Sequence, residues 1–228
     1  MPSLFVDIEE LERKLGLSPG FVDALLKEDD WSFVIKLHAL FESVCTHLLV
    51  YHFRESSIHD VVSHLELSNK RTGKVAFLKA LGLLGDDARR YISSLSELRN
   101  KLVHDVRQST FRLAEMVGAF DAKALKAFTK TFSPHEARTP NKEIDEILRK
   151  AKAGVDSGQG KSQRTPLLVE VDSETMASLM ARAKTEPKLH MWVGAINVFT
   201  SLGDMYGYSD YQQKIRASQI LQENESEI

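Results

Sequence analysis

Arg99, Asn100 and His104 are the residues of this sequence whose types and spacing best suit chemistry. On a helix, Asn100 and His104 are four apart and share a face, with Arg99 on the adjacent flank. An arginine, an amide and an imidazole held together can cleave a phosphodiester without a metal. The imidazole exchanges protons near neutral pH. The guanidinium holds a phosphate and stabilises the charge that develops on it. The amide orients either group. Glu97 and Asp105 flank the set, placed to tune the histidine or to pair with Lys101, and Glu42 on an upstream helix is placed to brace His104 or Arg99. Spacing by itself is a weak signal, because Glu97 and Lys101 at i,i+4 also suit a plainly solvated helix face.

These residues need helices to position them, and the hydrophobic periodicity supplies such helices. A helix from about Asp87 to Asp105 puts Leu95, Leu98, Leu102 and Val106 on one stripe, opposite Asn100 and His104. Upstream, Val34, Leu37, Phe41, Val44 and Leu48 repeat at steps of three and four, flanked by Phe33, Leu40, Cys45 and Leu49. That wide stripe predicts a central helix from about Trp31 to Arg54. Further helices are expected near Asp7–Leu15, Pro19–Lys27, Ile58–Leu65, Gly73–Leu84, Thr110–Phe120, Ala122–Phe132, Ser173–Lys184 and Pro187–Met205, with a fraying tail after Gln222. Ser18 before Pro19 has the form of an N-cap.

The expected fold is all-α, an antiparallel helical bundle with additional N- and C-terminal helices. Its segments read as an N-terminal helical extension (1–30), the bundle (31–132), a linker or flexible loop (133–166) and a C-terminal helical segment (167–228). With 228 residues, 43% hydrophobic and 27% charged, the chain is of ordinary globular composition. A net charge of −2 excludes a polycation built to coat nucleic acid and leaves room for a local basic site. The lone Cys45 suits a reducing compartment. The N-terminus lacks the form of a signal peptide, and Lys36, His38, Glu42, His47 and His52 interrupt the most apolar stretch. Cytoplasm is the expected location, with no membrane association and no cofactor.

Other signals weigh less. Gly154 to Ser162 is off by one residue from a phosphate-binding loop and lacks the strand and helix that flank one, so a flexible loop is expected. His38, Glu42 and Cys45 share a helical face as metal ligands do, but Cys45 sits in the apolar stripe, so no metal site is expected. Between Lys123 and Arg164 basic residues outnumber acidic ones, which suits a solvated face better than an RNA track. Phe128 and Phe132 read as core. Trp192, Phe199 and Tyr206, seven apart, read as a packing or dimer stripe. Nothing has the form of a helix-turn-helix, so sequence-specific DNA binding is not expected.

The segment Leu98-Arg99-Asn100-Lys101-Leu102-Val103-His104-Asp105 resembles the Arg-x(4–6)-His motif of the HEPN superfamily. The long apolar helix upstream and Leu81-Gly82-Leu83-Leu84 before the motif are similar as well, over about Trp31 to Phe120. The same arrangement resembles the mannitol operon repressor family, a HEPN-like helical group. The nuclease branch implies a homodimeric, metal-independent endoribonuclease acting on RNA, with Arg99, Asn100 and His104 lining the cleft and roles in defence or toxin–antitoxin systems. There His104 is the general acid/base, Arg99 the phosphate clamp and Asn100 the orienting group. Val106 stands where the toxin–antitoxin subgroup carries a tyrosine, which argues against regulation by modification of that residue. The repressor-like branch implies instead a non-catalytic regulator acting through a protein partner.

Overall fold

The computed structural model describes residues 4–133 and 173–226, and among these every regular element is helical. Helix α3 (Asp30–Phe53) is the axis of the fold. It starts where the Asp29 carboxylate accepts the Ser32 N–H at 2.9 Å, satisfying one of the first-turn donors. Phe33, Val34, Leu37, Phe41, Val44, Cys45, Leu48 and Leu49 are buried along it, so α3 is enclosed from more than one side. By length and composition this helix is also apolar enough to cross a membrane, contrary to the expectation from its interrupting polar residues. Here that apolarity is used as core: 61% of its most apolar window is buried within the protein.

Helix α6 (Asp86–Val103) runs antiparallel to α3. Trp31 at the start of α3 meets Leu102 at the end of α6, and Phe41 further along α3 meets Tyr91 near the start of α6. The Trp31 indole donates to the Leu102 carbonyl at 3.3 Å, taking up one of the four carbonyls that a helix end leaves without partners. Between these two helices in sequence lie α4 (His59–Ser63) and α5 (Lys74–Ala80), both packed on α3. Helix α5 ends at Ala80, earlier than the periodicity through Leu84 predicts. Gly82 adopts φ 71°, and the bonds Gly82 N–H to Lys79 O and Leu83 N–H to Leu78 O close the helix end. Leu83 and Leu84 then enter the core from a loop.

The chain continues through α7 (Leu113–Gly118) and α8 (Ala122–Thr131), then, after the segment that is not described, α9 (Ser173–Thr185) and α10 (Pro187–Ser226). The expected stop of the last helix near Met205 is overturned: α10 continues for 40 residues, about 60 Å at 1.5 Å per residue. Through Phe199 against Phe41, Tyr206 against His47 and Ser209 against His52, α10 lies parallel to α3. Phe199 and Tyr206 are buried, and the half-buried Trp192 donates to the Val22 carbonyl at 2.9 Å. The stripe therefore packs within the chain. Phe128 and Phe132 are buried as expected, and the C-terminal helices share one hydrophobic core with the bundle. The expected linker, apart from Ser133, and the glycine-rich Gly154–Ser162 lie outside the described residues.

Helices α1 (Leu4–Lys14) and α2 (Phe21–Ala24) precede α3. The expected Ser18 cap is replaced. Gly20, at φ 78°, precedes α2, and the cap comes from α1, where the Glu12 carboxylate accepts the N–H groups of Gly20 and Val22 at 2.8 Å each. Glu12 is 2% exposed, so these two donors are its replacement for water. Glu12→Ala is expected to cost about 2–3 kcal/mol, since hydrogen bonds to charged groups contribute about that much and the Gly20 N–H and the buried Val22 N–H both lose their partner. Chemical denaturation compared with the exposed Glu9→Ala control checks this.

Candidate functional site

Leu95, Leu98 and Leu102 are buried on the inner side of α6, as their stripe requires, and Glu97, Asn100 and Lys101 are exposed on its outer side. Arg99 is half-buried, and its Nη1 donates to the Asn100 Oδ1 at 3.1 Å. The helix ends at Val103. His104 is the residue after it, exposed, with a near-helical backbone (φ −82°, ψ −9°). That conformation carries His104 one turn beyond Asn100 on the same face. Asn100 and His104 are thus exposed at the end of α6, with Arg99 half-buried beside Asn100 and Val103 37% exposed between them in sequence.

The supporting acids go elsewhere. Asp105 is extended, and its carboxylate accepts the Arg107 backbone N–H at 3.0 Å and the Arg107 guanidinium at 2.9 to 3.1 Å. These hydrogen bonds from Arg107 hold the Asp105 carboxyl below its ordinary range, and they replace the pairing with Lys101 or His104 expected of it. The short turn after Asp105 is the reason: Arg107 is two residues away and Lys101 is on the helix behind. Glu97 remains on the solvent side. Glu42, expected to brace His104 or Arg99, makes its ion pair with Lys74 at 3.0 Å.

Lys74 was not legible as a buried residue. It opens α5 after Gly73, in a setting that reads as surface, yet it is fully enclosed and donates to the Glu42 carboxylate and to the Ser63 carbonyl, each at 3.0 Å. Gly73 makes this possible, because a Cβ there would lie 2.5 Å from the Asn69 nitrogen and 2.6 Å from its carbonyl oxygen. The loop from Glu66 to Asn69 therefore closes directly over the start of α5. Nearby, His38 is buried with Nε2 3.2 Å from the Ser96 Oγ. Burial pushes its imidazole below the ordinary range; Glu42 opposes that, and Arg99 and Lys74 add to it.

The metal-ligand spacing of His38, Glu42 and Cys45 is not realised as a cluster. Among the described residues no three His, Cys, Asp or Glu side chains converge as a metal ion would need. Cys45 is fully buried in the core, and burial pushes its thiol up to about 12. On α8, Lys123, Lys126 and Lys130 are exposed, whereas the remainder of the basic run lies outside the described residues. A cavity of about 330 Å³ lies at the starts of α3, α7 and α10, lined by Asp30, Leu113 and Lys188 among others and by none of the motif residues.

His47 and His190 share the lowered imidazole range of His38, in each case chiefly through burial. Their unfolded values lie near 6.5, so the unfolded chain binds more protons than the folded one as pH falls below 6.5. Stability is therefore expected to be lost on acidification from about pH 6.5, before the carboxylates titrate. Thermal melts from about pH 7.5 to 5 should show a falling Tm. A flat profile would mean that these imidazoles accept protons in the folded state as readily as in water.

Set against known protein families, curated proteins and solved structures, the chain matches none.

Proposed function

We propose that this chain is a HEPN-type protein that acts on RNA as a metal-independent endoribonuclease, with Arg99, Asn100 and His104 as its reacting face. One observation carries the reading: at the end of α6 the Arg99 guanidinium is oriented by the Asn100 amide at 3.1 Å, and the exposed His104 follows directly after the helix. In this reading Arg99 holds the scissile phosphate. His104 takes the proton of the ribose 2′-hydroxyl as that oxygen attacks phosphorus, or gives one to the departing 5′-oxygen. The bond formed is to the 2′-oxygen and the bond broken is to the 5′-oxygen, which leaves a cyclic phosphate and a 5′-hydroxyl.

An open face is a poor place for charge stabilisation, because water screens it. A second copy of the chain, set motif to motif, would turn the face into a cleft and supply one histidine for each proton transfer. The exposed Val103 beside the motif gives that contact an apolar point. The openness of the face also supports the second reading, a non-catalytic regulator similar to the mannitol operon repressor family, in which a protein partner covers the motif.

Incubation with single-stranded RNA in excess chelator tests the proposal. Fragments ending in cyclic phosphate are the expected result. Intact RNA across varied sequences, from a folded and dimeric protein, overturns it and favours the regulator.

A further inference from the structure

The proposed chemistry does not use the cavity at the starts of α3, α7 and α10. Its volume of about 330 Å³ falls at the small end of ligand pockets, which run from about 300 to 1,000 Å³. Leu26, Leu113 and Leu189 give it apolar walls, and Asp30, Glu186 and Lys188 give it charge. Glu186 is exposed, so the cavity opens to solvent. Part of the charge is already engaged. Asp30 accepts the Leu113 N–H at 2.8 Å and the Lys188 ammonium at 2.7 Å, and Lys188 also donates to the Glu28 carbonyl at 2.6 Å. An ammonium has three donors, so Lys188 keeps one in hand. The Glu186 carboxylate has no ion-pair or hydrogen-bond partner among the described residues. The capacity left over is therefore a carboxylate that needs donors and one ammonium N–H that needs an acceptor.

Among the RNA bases only guanine carries that complement on one edge. Its Watson–Crick edge presents two neighbouring donors, N1–H and the 2-amino group, followed by the O6 acceptor. Adenine and cytosine offer one donor beside an acceptor, and uracil one donor between two acceptors. We propose that this cavity takes an unpaired guanine base, with Glu186 accepting from N1–H and the 2-amino group and Lys188 donating to O6. The leucines meet the faces of the ring, and Asp30 holds Lys188 in place. The proposal rests on the reading of the chain as a protein that acts on RNA, and it supplies the sequence preference that phosphate and ribose contacts alone lack. The first turn of α3 joins the two sites. Asp30 lines the cavity, and the next residue, Trp31, donates to the carbonyl of Leu102, two residues before His104.

The test uses the full chain. Calorimetry compares guanosine, adenosine, cytidine and uridine monophosphates, which share the phosphate and differ in the base. Inosine monophosphate, which lacks the 2-amino group, is the fifth ligand. The variants are Glu186→Gln, which removes the carboxylate, and Ala114→Phe, which fills the cavity from its lining without altering a charge. Both positions are exposed, so thermal melts should match the wild type. Cleavage in chelator of RNAs with and without guanine is followed alongside.

The expected result is guanosine monophosphate bound about tenfold or more tightly than the other three, with inosine monophosphate between. Glu186→Gln abolishes the preference and Ala114→Phe abolishes binding. Equal affinity for all the bases, no binding of any, or a preference that survives in Glu186→Gln overturns the guanine site. Cleavage that ignores guanine, together with no preference in calorimetry, removes the guanine site and leaves the nuclease reading intact. Selective binding of guanosine monophosphate with no RNA cleaved does the reverse.

Discussion

Gly194→Ala is expected to destabilise the protein by about 2 kcal/mol or more, although it places a better helix former inside a helix. Propensity alone would favour alanine by about 1 kcal/mol. A Cβ at 194, however, would lie 2.3 Å from the Phe132 carbonyl oxygen and 3.0 Å from Tyr91 Cε2. The oxygen belongs to the backbone at the end of α8, and Tyr91 is held by a 2.6 Å bond to the Met191 carbonyl. Neither neighbour yields by a rotamer change. Overpacking of this kind costs about 1–3 kcal/mol and occasionally more, so the clash wins. Gly203, on the same helix, has nothing within 4 Å of its added Cβ, and Gly203→Ala is expected to stabilise by about 0.5–1 kcal/mol. At about 2–4 °C per kcal/mol for a chain of this size, thermal melts should move the two variants in opposite directions. A Gly194→Ala melt at or above wild type would mean that α10 does not approach α8 at that point.

The second large effect is on turnover. Arg99→Ala is expected to reduce RNA cleavage by about 10²–10³-fold, the usual range for removing one preorganised group that stabilises transition-state charge. His104→Ala is expected to reduce it by about 10²–10⁴-fold, the range for a positioned acid or base. The folded state should tolerate both changes. Asn100, the only hydrogen-bond partner of Arg99 among the described residues, is exposed, and His104 is exposed beyond the end of the helix. Asn100→Ala is expected to have the smaller effect, because it orients the arginine without meeting charge itself.

The helices were legible where their apolar stripes were wide and regular. Helices α3 and α6 fall within a residue or two of the positions their stripes predict. The motif face was legible for the same reason, since Leu95, Leu98 and Leu102 fix which side of α6 is turned outward. What the sequence hid were tertiary contacts with no local signature. Lys74 reads as a surface lysine until Glu42 and the loop over Gly73 are placed around it. Glu12 caps a helix that begins nine residues after it, so no capping pattern reveals it. The length of α10 was hidden differently. Beyond Met205 its polar residues carry no continuous apolar stripe, and helix-forming residues such as Gln, Lys, Ala and Leu extend it without one. His104 was placed on the helix by spacing and stands just past its end, where the near-helical backbone still delivers it to the face of Asn100.

The most direct measurement is the rate of RNA cleavage in excess chelator by the wild type, Arg99→Ala and His104→Ala, each verified as folded and of the same oligomeric state. Cleavage by the wild type is expected to survive chelation and to fall at least a hundredfold in both variants. Equal rates in all three, or no cleavage by any of them, would contradict this expectation.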